Sequence, residues 1–269
     1  NNWTSICWSE ELKLFIAVAN SGTNNRFMSS TNGIIWNILP VTINNDWTSI
    51  IWISELSLFV AVSSSGINNR IITSSDGLTW TSRTNPDDNN WTSLCWAPEL
   101  NLIVAVANSG TNNRIMTSPD GITWTTRTSP ADNNWTSICW APEIRTFAAV
   151  SNSGTNNRIM TSYDGINWTL QTSPANNDWS SIIWNPNLST FIAVSTTGTN
   201  DRILLSNNSD ILSSNTVIKT NQTSFSLTQD TDRVGLGVKN PSYQLHLSGS
   251  SALKPGTSTW TVSSDKRLK

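Results

Sequence analysis

Five loops of Gly-Thr-Asn-Asn-Arg type carry most of the side chains in this chain that could do recognition chemistry. They run Gly22 to Arg26, Gly66 to Arg70, Gly110 to Arg114, Gly154 to Arg158 and Gly198 to Arg202. Their candidate binding groups are Asn24, Asn25 and Arg26, Asn68, Asn69 and Arg70, Asn112, Asn113 and Arg114, Asn156, Asn157 and Arg158, and Asn200, Asp201 and Arg202. An Asn amide both donates and accepts, and a guanidinium is a planar fork of donors. Each repeat also opens on a tryptophan, whose indole is a flat apolar face, and Trp47, Trp91, Trp135 and Trp179 are candidate stacking platforms. Amides, a fork and a flat ring together are the chemistry of sugar recognition. Each group has a structural alternative: Asn caps turns through its own side chain, Arg pairs with a neighbouring carboxylate, and Trp at repeat spacing packs between units.

The same inventory argues against catalysis. A catalytic site needs one asymmetric constellation of nucleophile, acid and orienter, whereas the arginines recur by repeat and sit alike in separate units. Acids such as Glu99 and Asp120 fall in turns, which removes paired carboxylates for acid/base work. Cys7, Cys95 and Cys139 share one slot that Ile51 and Ile183 fill elsewhere, so they read as small buried hydrophobes, not as disulfides or metal ligands. His246, the only histidine, reads as a stacking or polar-face residue. The expectation is a chain that is no enzyme and holds no metal and no cofactor.

The elements that position these groups follow from the period. Trp3, Trp47, Trp91, Trp135 and Trp179 are each 44 residues apart. In the third repeat Trp91 to Trp96 alternates as an inner strand, Ala97-Pro98-Glu99 turns, and Leu100 to Ala107 is apolar on both faces like a strand packed between neighbours. The Asn-Arg loop leads to Arg114 to Thr117, a Ser-Pro-Asp-Gly turn follows, and Ile122 to Arg127 closes the unit. Such a unit is one four-stranded propeller blade. In that topology the Asn-Arg loops share one face and the Asp-Gly turns the other. Five units must bury both end blades or expose apolar faces, so they are expected to close into one ring, the fifth blade completed by residues near 210 to 218 or left three-stranded.

Composition sets the limits on partners. Of 269 residues only 13% are charged, for a net charge of -2, so no basic field exists to hold nucleic acid or an anionic membrane. Hydrophobic residues make up 37%, enough for a core, yet no apolar run is long enough to span a bilayer and no signal-peptide pattern opens the chain. A start in phase with the repeat and without Met suggests a processed or excised fragment. Sequons at Asn2, Asn90, Asn134, Asn167, Asn207 and Asn221 arise by chance in so Asn- and Thr-rich a sequence.

The segments Ser74-Ser75-Asp76-Gly77-Leu78-Thr79-Trp80, Ser118-Pro119-Asp120-Gly121-Ile122-Thr123-Trp124 and Ser162-Tyr163-Asp164-Gly165-Ile166-Asn167-Trp168 resemble the Asp-box of sialidase-like propellers, one residue shorter between Asp and Trp. The carboxylate accepts N–H bonds across the turn, Gly takes positive φ, and Trp buries against the blade. Repeat one has Asn32 in place of Asp, and repeat five decays to Ser206-Asn207-Asn208-Ser209 with Leu212 in the Trp position. The sialidase set itself, an arginine cluster with a Tyr nucleophile and an acidic donor, is missing: Tyr163 lies in a turn and Tyr243 beyond the repeats.

After about Asp210 the period ends, and Val217 to Leu227 and Tyr243 to Leu247 read as short strands. So few apolar residues cannot build an independent core, so self-association is expected. Val234-Gly235-Leu236-Gly237, Asn240 to Gly249, Ala252 to Gly256 and Ser264 to Lys269 resemble the stretch that precedes and opens the endosialidase-type intramolecular chaperone of phage tail spikes and giant-virus fibres. That resemblance implies a homotrimer and self-cleavage between Ser264 and Asp265, with Ser264 and Lys269 as the dyad. The presence of Asp265 to Lys269 then implies an uncleaved, mutated or truncated species.

The resulting expectation is an all-β chain: a five-bladed β-propeller head over 1–212, a trimeric β-rich stalk over 213–263, and the start of the cleavage motif at 264–269. Its expected work is adhesion at a virion surface or other extracellular site, by multivalent binding of a cell-surface glycan or glycoprotein. A trimeric spacer with no ligand is the alternative, and a sialidase-like glycosidase is the weakest reading.

Overall fold

The computed structural model describes residues 1–206 and, beyond them, the backbone of four strands. The chain divides into two compact units, Asn1–Ser206 and Asn207–Lys269.

In the first unit every repeat folds as an antiparallel meander, because each apolar run is bounded by turn formers a few residues long. The sheets are β1 (Trp3–Ser9) to β4 (Asn37–Leu39), with β2 (Leu14–Ala19) and β3 (Phe27–Ser30) between; β5 (Trp47–Ile53), β6 (Leu58–Ser63), β7 (Ile71–Ser74) and β8 (Thr81–Arg83); β9 (Trp91–Ala97), β10 (Leu102–Ala107), β11 (Ile115–Ser118) and β12 (Thr125–Arg127); β13 (Trp135–Ala141), β14 (Thr146–Ser151), β15 (Ile159–Ser162) and β16 (Thr169–Gln171); and a three-stranded β17 (Trp179–Asn185), β18 (Thr190–Ser195), β19 (Ile203–Leu205). The second strand is the axis of each sheet: Val104 pairs with Cys95 on one side and Thr117 on the other. Its residues from Ile103 to Ala107 are fully buried, as the two-sided apolar run requires.

Two boundaries differ from the sequence reading by more than one residue. Pro98–Leu100 forms a single 3-10 turn with Asn101 left-handed at its end, so β10 starts at Leu102. Residues Ile122 to Trp124 still belong to the turn before β12, because Asp120 holds the N–H groups of Ile122 and Thr123.

A bulge at the start of every first strand makes the joint between sheets. Pairing skips Thr4, Thr48, Thr92, Thr136 and Ser180, which frees these residues from the ladder. Each freed Thr hydroxyl lies 2.7 Å from the opening Trp carbonyl of the next sheet: Thr4 to Trp47, Thr48 to Trp91, Thr92 to Trp135 and Thr136 to Trp179. In return Ile50, Leu94, Ile138 and Ile182 donate N–H to Ser5, Ser49, Ser93 and Ser137 of the sheet before, at 3.2–3.4 Å. A third link runs from the indoles of Trp52, Trp96, Trp140 and Trp184 to the carboxylates of Glu11, Glu55, Glu99 and Glu143. Between these bonds the sheets bury shared apolar clusters, such as Val104, Val106 and Ile115 against Trp135, Ile138 and Phe147.

The ring is not closed among the described residues. β1 packs on β5, β5 on β9, β9 on β13 and β13 on β17, and no equivalent packing joins β17 to β1. The exposures agree: Ile6 is 55% exposed where its counterpart Ile50 is 2%, and Val194 is 43% where Val18 is 0%. Ring closure was expected from the cost of exposed apolar ends, and among the described residues those ends stay exposed. Among the described residues the fifth sheet has three strands, and in the second unit β20 (Asn215–Thr220) pairs with β21 (Thr223–Asp230). In that unit β22 (Arg233–Leu236) follows antiparallel, and β23 (Leu245–Leu247) pairs with β22 in parallel.

Candidate functional site

Each Asn-Arg loop follows the second strand of its sheet, so the topology gathers all five at the same end of their sheets. The third repeat shows how one is built. β10 ends at Ala107, whose N–H bonds to Arg114 O at 3.0 Å, and this pair closes the loop base. Gly110 crosses at φ +102, and a Cβ there would strike Asn113 Oδ1 and the Asn89 amide. Arg114 turns inward: its Nε donates to Gly110 O at 2.9 Å, and one terminal nitrogen donates to Asn108 O at 3.0 Å and Asn134 Oδ1 at 3.1 Å. Asn89, two residues before the opening Trp and nearly buried, donates to Asn113 O at 2.7 Å.

The same inward pattern holds for Arg26, Arg70 and Arg158, which bond the carbonyls of Gly22, Gly66 and Gly154. Arg26 and Arg158 add the carboxylates of Asp46 and Asp178 at 2.6 and 2.9 Å, while Arg70 adds Asn90 Oδ1. These four side chains are only 12–13% exposed and are struts of the loop, not groups offered to a ligand. Burial lowers the Arg70 pKa somewhat, and Asp88 opposes that. Arg202 differs, being exposed with Gly198 O as its bond partner.

The second Asn of each pair, Asn25, Asn69, Asn113 and Asn157, is half-buried and serves the backbone clasp with Asn1, Asn45, Asn89 and Asn133. Asp201 accepts from Asn177 in the same way through its carbonyl. The first Asn of each pair is exposed: Asn24, Asn68, Asn112, Asn156 and Asn200 stand at the loop tips in the left-handed region, with φ between 55 and 64. Their N–H groups, for the first four, are held by Asn44, Asp88, Asp132 and Asn176 at 2.7–2.8 Å, which aims the tip outward.

The stacking role expected of Trp47, Trp91, Trp135 and Trp179 is corrected. Their indoles are at most 1% exposed, wedged between consecutive sheets, and offer no face to a sugar. Trp3 is exposed only because no sheet packs outside it. The Thr-Ser joint and the Trp-Glu links were not anticipated. Lining up the repeats would have shown Thr, Ser and Glu recurring in the same slots, but not that their partners lie one repeat on.

At the opposite end of the sheets the Asp-Gly turns are also internally satisfied. Asp120 Oδ1 takes the N–H groups of Ile122 and Thr123 at 2.8 and 2.7 Å, Ser118 caps Gly121, and Trp124 donates to Gly121 O. The N–H bond from Thr79 is the main cause that brings Asp76 down to about 2. At Asp164 burial pushes upward, yet bonds from Asn167, Ile166 and Ser162 outweigh it and again bring it to about 2. Asn32 makes the same two N–H bonds through its amide oxygen, so the first repeat keeps the turn without a charge. Cys7 and Cys139 are pushed up to about 12 by burial, and Cys95 also rises.

Ser264 and Lys269 lie outside the described residues, as do the cleavage motif and most of the expected stalk. Among the described residues no group of three or more His, Cys, Asp or Glu is placed to hold a metal ion, and no helix is long and apolar enough to cross a membrane.

No protein-family model matches the sequence, and no curated protein matches it either. Solved structures do. A streptogramin B lyase is 15% identical with a TM-score of 0.60, over 77% of this chain and 68% of that one. Virginiamycin B lyase from Staphylococcus aureus is 13% identical with a TM-score of 0.60, over 89% and 82%. A nidogen/laminin complex structure matches at 11% identity and 0.54, over 72% and 75%. These are β-propeller-like repeat proteins, and the likeness shows the fold alone. It also corrects the expectation of no enzyme: lyases are built on this fold, so repeat symmetry does not rule out catalysis.

Proposed function

We propose that the chain is a receptor-binding head of a viral or phage fibre, in which the five sheets are blades of a β-propeller and bind a cell-surface glycan at many weak sites. The observation that carries this reading is the row of loop tips. One outward-held Asn per repeat, at Asn24, Asn68, Asn112, Asn156 and Asn200, stands at the same end of every sheet. At Asn68 and Asn112 the amide on a fixed backbone gives a paired donor and acceptor to vicinal sugar hydroxyls, at Asn24 and Asn156 the oxygen already accepts from Asn44 and Asn176 and the NH2 remains to donate, and the exposed Thr beside the tip (Ile67 in repeat two) adds a contact. Single sites of this kind are weak, and simultaneous engagement raises avidity by about 10²- to 10⁴-fold. Trimerisation through 213–263, and cleavage at Ser264-Asp265 with Lys269 once a chaperone follows, belong to the same reading and rest on the resemblance alone.

The test is binding of the full chain to an array of surface glycans, beside a variant carrying Asn68→Gly and Asn112→Gly, whose side chains bond no neighbouring residue in the loop. Glycine keeps the left-handed tip and removes only the amide. Binding by the parent and its loss in the variant, with unchanged melting, is the expected result. A second reading, a spacer without ligand, is favoured by the internal hydrogen bonding of the Arg and second Asn residues, and an array with no signal for the parent would select it.

A further inference from the structure

Each crossover into a following sheet carries one Asp among three amide or acid residues, and its place differs between repeats. The runs are Asn44-Asn45-Asp46, Asp88-Asn89-Asn90, Asp132-Asn133-Asn134 and Asn176-Asn177-Asp178. The middle Asn clasps the next loop in all four, through the carbonyls of Asn69, Asn113, Asn157 and Asp201. The first residue holds the N–H of the tip behind it, at Asn24, Asn68, Asn112 and Asn156. The third residue meets the Arg strut of that same loop, as a carboxylate at Asp46 and Asp178 and as an amide oxygen at Asn90 and Asn134.

The order of the three decides what the tip has left to offer. Where the first residue is Asn, its amide closes on the tip: Asn44 and Asn176 donate back to the side-chain oxygens of Asn24 and Asn156 at 2.9 and 3.2 Å. An Asp has no N–H to return. Asp88 and Asp132 take the tip N–H through Oδ1, which also lies 3.6 and 3.7 Å from Nε of Arg70 and Arg114, and at Asp88 accepts from Asn85 as well. Among the described residues, Oδ2 of both carboxylates and the side-chain amides of Asn68 and Asn112 have no partner. The two Asp side chains are 35% and 36% exposed, beside fully exposed tips. Both orders give the Arg a carboxylate and hold the tip N–H, so stability alone does not choose between them.

We propose that repeats two and three carry the principal ligand-reading tips, and that Asp88 with Asn68 and Asp132 with Asn112 select an uncharged sugar with vicinal hydroxyls over an acidic one; this rests on the glycan-binding reading above. One hydroxyl donates to the free carboxylate oxygen, in a charge-assisted bond about twice as strong as a neutral one. Its neighbour meets the tip amide, which both donates and accepts. A sialic acid, a uronic acid or a sulfated sugar brings a like charge to the same carboxylate and is repelled. The tips of repeats one and four contribute less: their amide oxygens are occupied, and their carboxylates are paired with Arg26 and Arg158 at 2.6 and 2.9 Å.

The test exchanges the two orders in the full chain without changing its composition or net charge. One variant carries Asp88→Asn with Asn90→Asp and Asp132→Asn with Asn134→Asp, which gives repeats two and three the order of one and four. The reciprocal variant carries Asn44→Asp with Asp46→Asn and Asn176→Asp with Asp178→Asn. Both orders occur in the parent, so both variants are expected to melt with it. Binding is read on an array of uncharged oligosaccharides, each beside its sialylated or sulfated counterpart. The parent is expected to prefer the uncharged member by about tenfold at low salt, with the gap narrowing as salt rises. The first variant loses about tenfold in binding to uncharged sugars and most of that preference, and the reciprocal variant binds more tightly than the parent. A parent that binds nothing on the array overturns this inference together with the glycan reading. A parent that binds, with acidic sugars held as strongly as uncharged ones or with neither exchange altering its binding, overturns this inference alone.

Discussion

Replacing Arg114 by Ala separates a strut from a binding residue. Arg114 donates to Gly110 O, Asn108 O and Asn134 Oδ1 at 2.9, 3.0 and 3.1 Å, and its side chain is 12% exposed. Bonds from a charged donor are worth about 1.5–3 kcal/mol each when their loss leaves buried acceptors unsatisfied. Here Asn108 is exposed and water reaches part of the loop, so roughly 1 kcal/mol per bond is the better figure, about 2–4 kcal/mol together. For a unit of this size that lowers the melting temperature by roughly 5–15 °C. Arg114→Lys recovers less than half, since one ammonium cannot reach three acceptors in the fork geometry. The internal control is Arg202→Ala: its single bond to Gly198 O is exposed, and the expected cost is about 0.5 kcal/mol. The assay is thermal unfolding by tryptophan fluorescence, with glycan binding measured on the same samples. An Arg114→Ala protein that melts with the parent yet no longer binds would refute the strut assignment and return this guanidinium to the ligand.

Other outcomes follow from the turns and the core. Asp76 and Asp164 titrate near 2 when folded and near 4 when unfolded, so their stabilisation is complete above about pH 4 and drains as pH falls toward 2; Asp→Asn at both positions flattens that slope in acid titrations of melting temperature. Gly121→Ala puts a Cβ 2.8 Å from Leu58 Cδ2 at φ +70, at a cost of about 2–4 kcal/mol in denaturant melts, whereas Gly33→Ala, with Phe15 3.6 Å away, costs only about 1 kcal/mol of backbone strain. Cys7 and Cys139 stay protonated up to about pH 12, so a thiol reagent at pH 8 labels the native chain at least tenfold more slowly than the unfolded one.

The sheets were legible because their signal is local. The 44-residue spacing of the opening tryptophans, the two-sided apolar run read at 100–107, of which the strand takes Leu102–Ala107, and the Ser-x-Asp-Gly turns each name an element without reference to its neighbours. Roles set by the neighbouring sheet were not legible. Trp91 has the composition of a stacking platform, and only the packing of the sheet before it removes both indole faces from solvent. Arg114 has the composition of a ligand, and only the fold of its own loop brings Gly110 O within reach. Ring closure was not legible for a related reason, and among the described residues no packing joins β17 to β1. Sequence periodicity fixes what each joint is made of, but the turn angle per sheet, which decides how many sheets close a circle, comes from side-chain packing.

The four internal joints are made by the same atoms facing the same way, so any unit fits behind any other. For the gene this means freedom of length. Unequal crossover between such similar tracts deletes or duplicates a whole unit in frame, and the product presents the same leading and trailing surfaces as its parent. A lineage can thus change how many tips it displays, and how far they reach, in single recombination steps, without passing through a protein with a mismatched seam.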